Sequence, residues 1–165
     1  MDTRWLDDAQ LAAWVRLAAV LELLPGTLDS QLRRDAGLTH FEYFTLAMLS
    51  EAPERTLPMT SLAARTNATL ARLSHVVRRL DERGYVERYP GPTDRRVTIA
   101  RLTPAGFDKV RETAPGHVAT VREYVVDALT PEQLTQLTVI TDAILHRLDP
   151  EGVTANTWDR YFPGR

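Results

Sequence analysis

The sequence predicts a mainly α-helical fold with one small β-hairpin. Three features predict it. Apolar residues recur at three- and four-residue spacings along most of the 165 residues, cap and stop residues punctuate those stretches, and one short alternating region is broken by "PGPTD". The expected order is helix, helix, short helix, longer helix, two strands, long helix, helix.

The first stretch, about 6–35, carries Leu11, Trp14, Ala18, Leu21, Leu28 and Leu32 as a helical stripe. Leu17, Val20, Leu23 and Leu24 make it apolar around much of its circumference, so it needs more covering than one small core offers. Pro25-Gly26 is expected to kink or split it. A second helix, about 40–51, starts at the cap Thr39 and stops before Pro53. A short third helix, about 60–66, ends where Asn67 can take a left-handed turn. A fourth begins near Thr69, buries a stripe of Leu70, Leu73, Val76, Val77 and Leu80, and ends at Gly84. Residues 85–89 and 96–102 alternate well enough for two strands joined by the "PGPTD" loop. Thr103-Pro104 is a cap followed by proline at the first helical position, and a kink is expected at Pro115-Gly116. "TPEQ" at 130–133 is a capping box that starts the last helix, with Leu134, Leu137, Ile144 and Leu148 on one face. In the tail beyond Pro150, Trp158, Tyr161 and Phe162 are candidates to dock it.

Composition narrows the function. With no cysteine there are no disulfides, thiolate metal sites or thiol redox switches. The acidic start "MDTRWLDDAQ" does not resemble a signal peptide, and no uninterrupted apolar run approaches the ~20 residues that span a bilayer. A cytoplasmic protein without membrane contact is expected. The histidines at 40, 75, 117 and 146 are scattered, so neither a metal nor another cofactor is expected. No nucleophile with base and orienter, phosphate-cradling glycine loop or paired catalytic carboxylates is visible, which argues against an enzyme. Net charge is −2, but residues 54–101 hold ten arginines against five acids, leaving −7 for the rest. A basic middle between acidic ends points to an anionic partner for the middle and a different one for the ends.

Helices 60–66 and 69–83, joined by a very short turn, form a helix-turn-helix candidate, and the hairpin after them makes it winged. Such motifs lay the second helix in the major groove of double-stranded DNA. The face opposite its buried stripe carries Ala71, Arg72, Ser74, His75, Arg78 and Arg79, with Thr69 at its start. Arg72, Ala71 and Ser74 lie early enough to reach base edges, while Arg79 is placed to hold phosphate. In the wing, Arg95 and Arg96 can reach a minor groove, where negative potential favours arginine. Asp94 would repel a phosphate, but its spacing to Arg96 lets it hold that guanidinium in a fixed fork.

"RLDERGYVERYPGPTDRRVTIARLTPAG" resembles the signature of the multiple-antibiotic-resistance regulator (MarR) family of winged-helix transcription factors, through Leu80, Glu82, Arg83, Gly84, Val86, Asp94, Arg96, Leu102, Thr103 and Gly106. The resemblance implies an obligate homodimer. Residues 1–36 and 104–150 would form its helical dimerisation region, 37–103 the winged DNA-binding domain and 151–165 a C-terminal tail. It implies Arg96 as the minor-groove arginine, Asp94 as its partner, and a repressor released from a palindromic operator by a small, often phenolic or anionic, effector. Asn67 stands where the family usually has Gly. Trp14, His40, Tyr43 and Phe44 are the candidate lining of an aromatic effector pocket with a polar handle. The alternative is a winged-helix protein-interaction module that does not bind DNA.

Overall fold

In the computed structural model, which describes residues 3–153, three helices open on capping boxes with side-chain hydrogen bonds at both ends of the box, two of them at the expected caps Thr39 and Thr130. α1 (Asp8–Ala36) opens on an Asp7–Gln10 box, α2 (His40–Ser50) on Thr39–Glu42, and α6 (Pro131–Leu148) on Thr130–Gln133. α3 (Met59–Arg65) and α4 (Leu70–Glu82) are joined by a turn in which Asn67 adopts φ 48°, the left-handed conformation expected of it. Gly84 at φ 76° ends the segment after α4. α5 (Pro104–Val121) begins where the Thr103 hydroxyl accepts the Gly106 N–H at 3.0 Å.

The hairpin strands are β2 (Val86–Pro90) and β3 (Thr98–Leu102). A third strand, β1 (Thr56–Pro58), was not foreseen. It pairs antiparallel with β3, Thr56 opposite Arg101, so the sheet order is β1-β3-β2. β1 follows a 3-10 turn, Pro53–Arg55, in which Glu54 and Arg55 both have positive φ, 51° and 54°. The Arg55 guanidinium lies 3.4 Å over the Phe107 ring of α5, a cation–π contact that offsets part of this strain.

The core lies in the middle of the chain. Leu46 and Leu49 of α2, Leu62 of α3, Leu73, Val77 and Leu80 of α4 and Val86 of β2 are essentially inaccessible. Leu70 departs from the expected stripe: it is 48% exposed in the first turn of α4, beyond the edge of that core.

Of the two outcomes expected at Pro25, the split does not occur, and α5 continues past Pro115 as expected. α1 runs unbroken through Pro25, and α5 through Pro115. Each proline removes a single helix hydrogen bond, at Leu21 and Arg111 respectively. Hydroxyls nearby donate back to the backbone, Thr27 to the Leu23 carbonyl (3.1 Å), Ser30 to Gly26 (2.8 Å) and Thr113 to Lys109 (2.7 Å). The irregularity falls later, as a π-helical turn at Arg122–Val126.

The helical ends are poorly covered. Only Leu28, Gln31 and Leu32 of the 29 residues of α1 are buried, and α6 buries none. Leu21, Leu23, Val139 and Ile140 stand more than half exposed. By length and composition α1 passes as a candidate bilayer span, with mean hydropathy 1.5 over its best window, although no uninterrupted apolar run in it approaches ~20 residues. Helices that bury an apolar face against protein pass the same test. The tail aromatics Trp158, Tyr161 and Phe162 lie outside the described residues.

Candidate nucleic-acid interface

α4 is strongly two-sided. Leu73, Val76, Val77 and Leu80 face the core, which turns Ala71, Arg72, His75 and Arg78 out to solvent and leaves Ser74 and Arg79 half-buried. Thr69 accepts the Arg72 N–H through its hydroxyl oxygen at 3.2 Å, so its own O–H remains available as a donor. Arg78 donates to His75 Nδ1 at 3.1 Å, and the Arg72 guanidinium lies 4.2 Å over the Phe41 ring of α2.

Arg79, expected at phosphate, has a partner beneath the helix. Both its Nε, at 3.2 Å, and Nη2 donate to Oε1 of Glu42, a carboxylate only 3% exposed beneath the helix. Burial alone would raise the Glu42 carboxyl. The Arg79 guanidinium and the Thr39 donors outweigh it and hold the group below its ordinary value. The pair takes up Nε and Nη2 of Arg79, whose side chain remains 42% exposed.

The wing tip is tight. The Gly91 N–H donates to the Val97 carbonyl at 2.7 Å, and a Cβ at Gly91 would lie 2.8 Å from the Asp94 carbonyl oxygen. Asp94 forks onto Arg96: Nε to Oδ1 at 3.1 Å, Nη2 to Oδ2 at 3.2 Å, with the Arg96 N–H on Oδ1 at 3.0 Å. These bonds hold the Asp94 carboxyl below its usual range. The Arg96 side chain is 92% exposed. Arg95 beside it is exposed. Between wing and helix runs a groove of about 240 Å³ lined by Leu70, Ser74, Arg96, Val97 and Thr98, among others. The other wing arginines are taken up by acids, Arg88 with Asp81 of α4 at 2.8 Å and Arg101 with Glu87 across the hairpin at 2.6 Å. The helix and wing therefore present Arg72, Arg78, Arg95 and Arg96 outward around an apolar-edged groove.

The expected pocket residues are only partly brought together. Trp14 is half exposed on α1 and sits fifteen residues, roughly 22 Å along the helix, from Asp29, which binds the His40 N–H at 2.8 Å. Within one chain it cannot share a cavity with His40. Phe44 packs against the core. His40 and Tyr43 instead meet His117 of α5, with ring centroids 6.3 and 4.8 Å apart. Burial, and for His117 also the neighbouring His40, pushes both imidazoles below their ordinary value, while Asp29 partly offsets the fall at His40. Buried beside them, Gln31 Oε1 and His117 Nδ1 have no hydrogen-bond partner among the described residues. Gln31 lies against Gly116 and also borders an open cleft of about 580 Å³ between α1 and α5. His117 and Gln31 were not anticipated. A polar Gln31 on an apolar helix face was the one available signal.

A family model described as "MarR family" matches residues 38–98. Among solved structures, Sco3205, a MarR family transcriptional regulator from Streptomyces coelicolor crystallised in complex with DNA, is similar at TM-score 0.85 and 43% identity, over 90% of this chain and 93% of that one. AbsC, a MarR family transcriptional regulator from the same organism, is similar at TM-score 0.82 and 38% identity, over 88% and 98%. The HTH-type transcriptional regulator MhqR of Bacillus subtilis is 26% identical over 102 residues, 62% of this chain and 68% of that protein.

Proposed function

The chain belongs to the MarR family of transcriptional regulators, and from that premise we propose that it acts as a homodimeric repressor whose two winged domains grip one operator. It is a DNA-binding regulator and not an enzyme. The observation that carries the finer reading is the outward basic face of α4 beside a wing arginine already held in a fork by Asp94. An oriented guanidinium loses less freedom when it enters a minor groove, where it is attracted by concentrated negative potential. Thr69, Ala71, Arg72 and Ser74 read base edges, His75, Arg78 and Arg95 approach phosphate, and Arg96 takes the minor groove.

Residues 1–36 and 104–150 serve as the dimerisation region and 37–103 as the DNA-binding domain. The support is the apolar surface of α1 and α6 that the described residues of one chain leave uncovered. Two-fold pairing places the recognition helices on half-sites roughly 34–36 Å apart. Such a dimer covers a promoter and works in the cytoplasm, where its DNA lies. A small aromatic or anionic effector fits the junction of α1, α2 and α5, where Gln31 Oε1 and His117 Nδ1 lack partners among the described residues, next to Tyr43 and His40.

The test is a gel shift with the DNA upstream of its own gene. A discrete complex at low salt, competed by the same duplex and not by a scrambled one, is expected. A folded dimer that shifts no duplex at low salt contradicts the proposal.

A further inference from the structure

The first turn of α2 touches three other helices within five residues. The His40 N–H donates to Asp29 of α1 at 2.8 Å, and the rings of His40 and Tyr43 meet His117 of α5. Between them, Phe41 lies under Arg72 of α4 at 4.2 Å, and Glu42 accepts from Arg79 of α4. Arg72 and Arg79 are seven residues apart, close to two full turns, so they share one stripe of the recognition helix. Two neighbouring residues of α2 thus hold α4 at two points about 10 Å apart along its axis.

The Glu42 end of this clamp is fully committed. Oε2 accepts the Thr39 N–H at 2.7 Å and Oε1 accepts the Arg79 guanidinium, with the side chain nearly sealed from water. A buried carboxylate bonded at both oxygens has one orientation, and so does the arginine that answers it. We propose that Phe41 and Glu42 are positioning residues for sequence readout: they set the angle at which α4 enters the major groove, and they join that angle to the α1–α5 junction. Neither residue faces DNA. The inference rests on the DNA-binding reading above and goes beyond it, because it moves Arg79 from phosphate contact to internal brace. Base-edge hydrogen bonds demand alignment, whereas attraction to phosphate tolerates small rotations. Loosening the clamp should therefore lower discrimination and spare non-specific binding.

Glu42→Gln separates this from a simple charge effect. The amide has one acceptor oxygen where the site presents donors at both ends, so it can satisfy Thr39 or Arg79 but not both. The substitution also removes a negative charge near the DNA-facing helix, which by electrostatics alone would strengthen binding to any duplex. The probes are a duplex that the wild-type dimer selects from a randomised pool and a scrambled duplex of the same length, read by fluorescence anisotropy across a salt series. The expected result is a loss of about tenfold or more in the ratio of the two affinities, with scrambled-duplex affinity equal or higher. Phe41→Leu, which changes no charge, should lose discrimination in the same way. Thermal melting identifies variants that do not fold, and Phe41→Leu then carries the test if Glu42→Gln is one of them. Arg79→Gln should reduce discrimination with the salt slope unchanged. Equal tightening on both duplexes, an unchanged ratio in both folded variants, or a slope that drops by about one per protomer for Arg79→Gln overturns the proposal. If the wild-type protein selects no duplex at all, the DNA-binding reading fails first, and this one falls with it.

Discussion

Gly106→Ala should be among the most damaging single-methyl changes in the chain. Gly106 lies in the first turn of α5, and a Cβ there would meet the Tyr85 carbonyl oxygen at 2.1 Å and Leu102 Cδ1 at 2.8 Å. Leu102 Cδ1 is a side-chain end and can give way, but the Tyr85 contact cannot, because that carbonyl is backbone and accepts the Thr103 N–H at 3.0 Å. The Thr103 hydroxyl in turn donates to the Gly84 carbonyl at 2.7 Å, so separating the strands of chain strains two hydrogen bonds. Overpacking of this kind costs about 1–3 kcal/mol, and each weakened bond about 1 kcal/mol. Alanine returns up to about 1 kcal/mol through helix propensity. The net loss is about 2–4 kcal/mol, a fall in Tm of roughly 5–15 °C for a chain of this size. Urea unfolding at fixed protein concentration measures it, and calorimetry gives the Tm. A loss below about 1 kcal/mol would mean that α5 does not approach the α4–β2 turn this closely.

Two further predictions concern the helical ends and the histidine cluster. Paired Leu17→Glu and Leu21→Glu substitutions on α1 should convert a particle of twice the 18.6 kDa chain mass into a single chain and abolish tight operator binding. Light scattering after size exclusion reads this, and a wild-type monomer at micromolar concentration would contradict it. His40 and His117 titrate below 6.5 in the folded chain, so the unfolded chain binds more protons as pH falls past that value. Stability should be full above about pH 6.5 and decline through the window below it. His117→Phe should flatten that decline between pH 7.5 and 5.5, and a Tm that rises on acidification would refute the assignment.

Local chemistry made much of the architecture readable. Thr39, Thr103-Pro104 and Thr130 start helices because the cap and the donors it satisfies lie within three residues. The Asp94–Arg96 fork was readable for the same reason, being a contact two residues long. Failures occurred where a distant partner decides. β1 is three residues ending in proline, with no alternation to betray it, and exists because β3 offers an edge to pair with. Arg79 looks like any outward cation until Glu42, thirty-seven residues away, is folded beneath it. His117 has no sequence neighbour that announces Tyr43. At Pro25 the helix is not split, because the proline removes one hydrogen bond among many in a 29-residue helix.

The account rests centrally on a division of labour between wing and helix, and salt titration of operator binding tests it most directly. Arg96→Ala should weaken binding to operator and scrambled duplex alike and flatten the salt slope by about one per protomer, whereas Arg72→Ala should change the order of preference among duplexes. If both variants lose affinity equally on every sequence, or if Arg96→Ala binds as the wild type does, helix and wing do not divide the work and the account is wrong.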